Sequence, residues 1–178
     1  MPNWDDVALN LARALRAIAP PPEPEFEVPG EPPPPVADPL GLFDQIVTDP
    51  ELVAVARSLF EDGYYALSVE EATKFVNNLV KNRSGSGLDG AKLMSEVFLK
   101  EKPLLRVNDL KTQSKLDQQK GYGLILQGTM IGVRNPRAHE HAYLDEPHNA
   151  LEILALCNHV VRVIRKATRT RSRRPKAP

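Results

Sequence analysis

The chain has 178 residues, 42% of them hydrophobic, which is enough for one domain with an apolar core together with some appended sequence. Lys and Arg number 23 and Asp and Glu number 23, but the zero net charge hides a basic end, since eight Lys or Arg lie between Arg162 and Lys176. A single cysteine excludes a disulfide framework. The sequence also lacks a long uncharged apolar run and a signal-peptide pattern, which predicts a soluble, cytoplasmic protein with no membrane partner.

Residues 1–19 are predicted to form an amphipathic N-terminal helix. Its apolar side chains recur at spacings of three and four, and two aspartates fall in its first turn, where a helix dipole favours negative charge. The apolar face comprises Trp4, Val7, Leu11, Leu15 and Ile18.

Residues 20–39 contain ten prolines and five acids and no base. Such a composition favours extended polyproline II and cannot form a packed core, so we interpret this segment as a semi-rigid acidic linker. A proline-rich ligand for an aromatic groove is the alternative, but no basic residue flanks the prolines.

Residues 40–166 are predicted to form an all-α bundle of four to five helices. Asp49 and Pro50 have the residue types of an N-cap and a first helical position, and Asp89 can cap a later helix after the loop RSGSGLDG. Asp145 is predicted to open the long last helix, in which Cys157 is expected to be a buried apolar side chain rather than a nucleophile.

The helix predicted from Asp117 to Arg134 contains four glycines, at positions 121, 123, 128 and 132. Each glycine weakens an isolated helix by up to about 1 kcal/mol relative to alanine, so they indicate a neighbour that approaches very closely. Because Gly128 and Gly132 are one turn apart, a two-fold symmetric dimer would account for them.

The segment RNPRAH follows this helix directly. Proline disfavours the α conformation in the preceding residue, so Asn135 is expected to leave the helix that ends at Arg134 and to cap a new turn that starts at Pro136. The resulting corner would present free backbone N–H groups to an anion. Arg134 would add donors for phosphate oxygens, and His139 a proton donor or acceptor near neutral pH.

These groups suit RNA cleavage without a metal or cofactor. The 2′-hydroxyl must lose a proton, the leaving 5′-oxygen must gain one, and the phosphorane must be stabilised. One His139 cannot easily do both proton transfers, but two copies in a homodimer could. Alternatively, Arg134 only neutralises a helix end and His139 only fills the corner.

Three fragments resemble a known family: LFEDGYYALSVEEATKFVNNLV, SGLDGAKLMSEVF and KGYGLILQGTMIGVRNPRAH. In this order and spacing they closely resemble the Ymh-type family of hypothetical proteins of bacteria and phages, over about residues 42–165. That family is similar to the HEPN superfamily, whose signature is an arginine, four to six residues and a histidine. The resemblance implies a HEPN-like helical bundle, commonly a homodimer. It also implies a metal-independent endoribonuclease of toxin–antitoxin or anti-phage systems, restrained by an antitoxin or another partner protein.

The resemblance implies that Arg134 and His139 are catalytic, with Asn135 and Arg137 in support. Many HEPN toxins carry a tyrosine two residues after the histidine, as the target of antitoxin-mediated modification. This sequence has His141 at that position and Tyr143 two residues further on, so both are supporting candidates and that route of regulation is not expected.

The segment 167–178 is predicted to be a basic disordered tail. It would attract RNA phosphates without sequence preference, through four arginines; the alternative is a solvated end that only increases solubility. The arginines are Arg169, Arg171, Arg173 and Arg174.

Two further functions compete with the ribonuclease. A zinc hydrolase could use His139, His141, Asp145 and His148, but no second cluster supplies ligands and the spacing fits no metal motif, so no metal is expected. A non-catalytic helical adaptor would use the core only for dimerisation and the N-terminal helix, linker and tail for tethering.

Overall fold

The computed structural model describes residues 9, 10, 13, 38–139 and 143–170. Contacts divide the chain into two units, Met1–Pro35 and Val36–Pro178. In the first unit, Leu9, Asn10 and Arg13 are helical. The other residues of that helix, and the proline-rich linker up to position 37, lie outside the described residues.

The second unit is all-α, as predicted. Its helices are α1 (Pro39–Ile46), α2 (Pro50–Glu61), α3 (Tyr65–Ser84), α4 (Gly90–Phe98), α5 (Gln113–Gly128), a π-helical segment (Thr129–Arg134), α6 (Asn135–His139) and α7 (Pro147–Lys166). Two short strands, β1 (Leu105–Arg106) and β2 (Thr168–Arg169), pair antiparallel. Among the helices of the described segments, none is both long and apolar enough to cross a bilayer.

The domain begins slightly before the predicted boundary at residue 40. Asp38 accepts a hydrogen bond from the Gly41 N–H at 2.9 Å, and Pro39 is the first residue of α1. The end of the predicted linker is therefore helical, because an Asp-Pro pair starts a helix here as it does at Asp49.

The predicted cap of α2 is confirmed. The Asp49 side chain accepts from the Leu52 N–H at 3.1 Å, and Pro50 is the first helical residue. The same carboxylate accepts from the Arg165 Nε–H at 2.7 Å, which ties the start of α2 to the end of α7. Asn158 adds a second tie, since its side-chain oxygen accepts from the N–H groups of Thr48 and Asp49.

Helix α3 lies at the centre of the bundle, where it packs against α2, α4, α7 and the π-helical segment. The buried face of α3 carries Val69, Ala72, Val76 and Val80 at spacings of three and four. Cys157 of α7 is fully buried in the same core, as predicted, and burial raises the pKa of its thiol to about 12. The thiol therefore stays protonated and unreactive near neutral pH.

The start of the basic tail is ordered, which corrects the prediction that disorder begins at residue 167. Arg83 donates to the carbonyl of the buried Ala167 at 2.7 Å, and Thr168 and Arg169 pair with β1. The Thr170 N–H then donates to the Leu104 carbonyl at 2.9 Å. Residues 104–106 supply the backbone partners of Thr168, Arg169 and Thr170, and the sequence has no signal for such a short pairing.

The glycine prediction for α5 holds at one position. A Cβ at Gly123 would overlap the Leu99 side chain, so α4 and its C-terminal residue do approach α5 very closely there. A Cβ at Gly121, Gly128 or Gly132 would meet nothing within 4 Å, so no neighbour among the described residues explains these glycines. Helix α5 also begins at Gln113, earlier than the predicted Asp117, because the Thr112 hydroxyl accepts from the Lys115 N–H and caps it.

Candidate functional site

The predicted corner at RNPRAH is absent, because the chain continues from α5 to α6 without leaving the helix. Asn135 has helical dihedral angles, φ −62° and ψ −45°, and its N–H donates to the Met130 carbonyl five residues back. Pro136 has no N–H, and in a regular α-helix its ring would clash with the carbonyl four residues earlier. The wider π-helical turn accommodates the proline, so the helix does not need to break.

This continuity overturns the predicted anion site at a helix N-terminus. Asn135 is not an N-cap, and its N–H is occupied by Met130 rather than free for a ligand. An anion at this position must therefore be bound by side chains, and Arg134 and His139 are the candidates.

Arg134 is partly buried and contacts the loop before α4. Its Nη1 lies 3.3 Å from the Asp89 carboxylate, and its side chain is 24% exposed. The Arg134 Nε–H is buried and has no acceptor among the described residues. Asp89 occupies the N-cap position of α4 but makes no cap bond with its side chain; instead Asn77 of α3 accepts from the Gly90 N–H.

Arg137, which the sequence suggested as a supporting residue, forms a buried ion pair. Its guanidinium makes two bonds, of 2.7 and 2.8 Å, to the Asp145 carboxylate and a third to the Val133 carbonyl. Both side chains of the ion pair are almost completely buried, and the Tyr143 ring lies 4.7 Å from the guanidinium. Asp145 is therefore not the N-cap of α7, a position that Glu146 takes.

Asn135 and His139 are exposed and lie four residues apart, so they share one face of α6. The exposed positions of the preceding helix continue this face at spacings of three and four and are apolar. We call them the apolar stripe: Leu124, Ile125, Gly128, Ile131 and Gly132. The stripe thus ends at the histidine of the motif.

Other predicted residues do not join this group or cannot be placed. Arg169 lies in β2, with its guanidinium next to Gly85 at the end of α3. His141, Arg171, Arg173 and Arg174 lie outside the described residues. No three metal-binding side chains cluster anywhere in the segments that the structure describes. Asp145, one ligand of the zinc alternative, is instead bound to Arg137.

A cavity of about 380 Å³ adjoins α6 and was not predicted from the sequence. The turn between α2 and α3 forms one wall, and α6 together with residues 143–145 forms the other. Its aromatic and ionisable lining residues are Tyr64, Tyr65, Glu70, Arg137, Tyr143 and Asp145. The only signal for this cavity in the sequence was the pair Tyr64-Tyr65 at the start of a helix. That pair does not reveal which residues of the bundle lie opposite it.

The chain matches a family model described as a protein of unknown function (Hypoth_ymh) over residues 47–164. This range spans well over half of the chain. The protein belongs to the Hypoth_Ymh family. Neither a curated protein nor a solved structure matches the chain.

The Hypoth_Ymh match contains the whole candidate site. It begins just before α2 and ends within the last turn of α7, so Arg134, His139 and the cavity all lie inside it. The N-terminal unit and the basic tail lie outside it. The predicted resemblance to the Ymh-type family is thereby confirmed.

Proposed function

We propose that this Hypoth_Ymh protein is a metal-independent endoribonuclease that acts as a homodimer. The observation that carries the proposal is the apolar stripe, which is exposed along α5 and the π-helical segment and ends at Asn135 and His139. Leu124, Ile125 and Ile131 of the stripe are 50%, 44% and 54% exposed. Exposed apolar side chains that are contiguous on one helix face are typical of an interaction surface.

A second copy of the chain is the partner we assign to the stripe. Gly128 and Gly132 have open space where a Cβ would project, so two helices could approach closely at these positions. In a two-fold dimer the same surface is used by both chains. Two His139 side chains would then lie near the symmetry axis, and each chain would supply half of one composite site.

The chemistry of this composite site needs no metal. One His139 would take the proton of the 2′-hydroxyl while the other protonates the leaving 5′-oxygen. The Arg134 side chains would stabilise the negative charge of the phosphorane. The Arg134 bond to Asp89 does not prevent this, because it is long, at 3.3 Å, and the Asp89 side chain is 54% exposed.

The similarity of the Ymh-type family to the HEPN superfamily supports the same proposal. Arg134 and His139 match the HEPN signature of an arginine, four intervening residues and a histidine. By this resemblance the enzyme would act in the cytoplasm as a toxin or anti-phage effector, restrained by a partner protein. The basic tail beyond Thr170 would increase its affinity for RNA in a salt-dependent way.

The test is RNA cleavage by the purified full chain in EDTA. We expect products that end in a 2′,3′-cyclic phosphate, because the internal 2′-oxygen is the nucleophile. His139→Ala and Arg134→Ala should each lower the rate on the order of a hundredfold or more. His159→Ala is the matched control, since His159 is an exposed histidine of α7 whose bond is to Tyr122, and it should leave the rate unchanged.

A non-catalytic adaptor is the second candidate function. Two observations favour it. Arg137 lies within the motif, yet its contacts are with Asp145 and Val133 of the same chain. The apolar stripe needs only a partner surface and no catalytic group. If the dimer forms but neither cleavage nor the cellular effect changes in the Arg134 and His139 variants, the adaptor function replaces the ribonuclease. Products that end in a plain 3′-hydroxyl would also contradict the proposed chemistry.

A further inference from the structure

The cavity beside α6 has the composition of a site for a flat aromatic ligand. Three tyrosines line it, Tyr64, Tyr65 and Tyr143. Tyr64 and the neighbouring leucines, Leu67 and Leu144, are 62%, 41% and 89% exposed, so the rim of the cavity is an apolar patch open to solvent. Its volume of about 380 Å³ falls in the range of pockets that bind small organic groups.

The charged groups of the cavity argue against a phosphate inside it. Arg137 already donates to Asp145 through two nitrogens and to the Val133 carbonyl through a third. Its charge is therefore already balanced by the buried Asp145 carboxylate, and it offers no free cation. Glu70 of α3 also lines the cavity, and its carboxylate pairs with Lys74 at 2.8 Å. A carboxylate can accept hydrogen bonds from the N–H groups of a nucleobase but repels a phosphate.

Tyr143 is held in place for stacking. Its ring lies against the Arg137 guanidinium, 4.7 Å from the centroid, and that guanidinium is itself fixed by the buried ion pair. Aromatic rings that are held rigidly lose little entropy when a base stacks on them. Tyr64 on the opposite wall is the more exposed of the two rings and is the natural second stacking surface.

We infer that this cavity binds an unstacked nucleobase of single-stranded RNA. The inference rests on the proposed function, and it adds to the proposed ribonuclease a subsite that positions the substrate. Ala138 lines the cavity and the next residue is His139, so a base held there would keep its sugar and phosphate at the end of α6 that carries the motif. Stacking does not depend strongly on base identity, so this subsite would select single strands over duplex.

The experiment measures binding of a fluorescein-labelled 2′-O-methyl oligoadenylate of eight nucleotides to the full chain by fluorescence anisotropy. The methyl group blocks the 2′-oxygen, so binding is measured without cleavage. Tyr64→Leu keeps the apolar bulk but removes the ring and should weaken binding roughly 5- to 100-fold. Tyr64→Phe, which keeps the ring, should restore binding, and Tyr143→Leu should also weaken it.

Two further probes identify the ligand. An oligomer of the same length without bases should bind weakly to the wild type and equally to Tyr64→Leu, because only the phosphates remain. Tighter binding of free AMP than of the oligomer would overturn the assignment to RNA in favour of a free nucleotide. Equal binding of the oligoadenylate by the wild type and Tyr64→Leu would overturn the base pocket altogether, as would no detectable binding by the wild type.

Failure of the pocket and failure of the proposed function give different results. If His139→Ala abolishes cleavage while Tyr64→Leu binds RNA normally, the ribonuclease stands and the pocket does not. If Tyr64→Leu loses binding while no variant or wild-type protein cleaves RNA, the pocket stands and the catalytic proposal does not.

Discussion

The Asp49 carboxylate is partly enclosed and accepts hydrogen bonds from three residues. Its titration should therefore influence the stability of the fold. Burial by itself raises the pKa of Asp49, but the bonds from the Arg165 side chain and from the backbone N–H groups of Leu52 and Glu51 outweigh burial, and the net pKa is lowered from 3.8. The unfolded chain therefore takes up this proton at a higher pH than the folded chain does. The contribution of Asp49 is complete above the unfolded pKa and is lost as the pH falls through the lowered value.

Asp49→Asn should therefore flatten the dependence of stability on pH in the acidic range. Asparagine still caps α2, so the variant folds, but it has no charge for Arg165. Urea unfolding of both proteins between about pH 2 and pH 6 would measure this, with the free energy of unfolding falling less steeply in the variant. Parallel curves for the two proteins would show that Asp49 does not contribute to the acid sensitivity.

Helix α5 offers a matched pair of glycines, since Gly121 and Gly123 are two residues apart in the same helix and differ in what surrounds them. Gly121→Ala should stabilise the protein by up to about 1 kcal/mol, because nothing lies within 4 Å of the added methyl group. Gly123→Ala should destabilise it by about 1–3 kcal/mol, because the methyl group would overlap the Leu99 side chain and lie only 3.0 Å from the Cβ of the buried Phe98. Urea midpoints that move in the same direction for both variants would contradict this account of α5.

The link between α6 and α7 depends on the buried pair of Arg137 and Asp145. Arg137→Ala should cost about 3–5 kcal/mol, because it leaves the Asp145 carboxylate buried without its partner. The double variant Arg137→Met/Asp145→Leu should recover most of this loss, since no buried charge remains. Thermal and urea unfolding of the wild type, Arg137→Met, Asp145→Leu and the double variant form the required cycle. A double variant that is less stable than either single variant would indicate a role beyond charge pairing.

The assembly state of the whole molecule follows from the apolar stripe. Ile131→Asp should convert the dimer to a monomer at micromolar concentration, because it places a charge in the centre of a surface that must exclude water. Ile46→Asp is the control, since Ile46 is an exposed isoleucine at the end of α1, a helix that packs on α2 and α7. Light scattering coupled to size exclusion measures the mass of each variant. A wild-type monomer, or a dimer that survives Ile131→Asp, would remove the basis of the composite site.

Dimerisation also bears on how the Hypoth_Ymh domain would be controlled. The stripe and the candidate site share the end of one continuous helix, so a partner protein that covered the stripe would prevent the two His139 side chains from meeting. Restraint by such a partner would therefore require no contact with the catalytic groups themselves.

Much of the helical architecture could be predicted because its causes are local. The cap at Asp49 and Pro50, the spacing of the buried valines of α3 and the burial of Cys157 all depend on residues within one or two turns of each other. The same local reasoning identified the Ymh-type motifs and the approach of a neighbour to Gly123.

The roles within the motif were decided by contacts that no local pattern specifies. Arg134 and Arg137 are the same residue type three positions apart, yet one contacts Asp89, 45 residues away, and the other forms a buried pair with Asp145. The choice depends on how the residues just before α4 and α7 lie against the π-helical segment and α6, which sequence spacing does not reveal. By local preference, Asn-Pro would break the helix at Asn135. The helix continues instead, because tertiary packing stabilises a π-helical turn there.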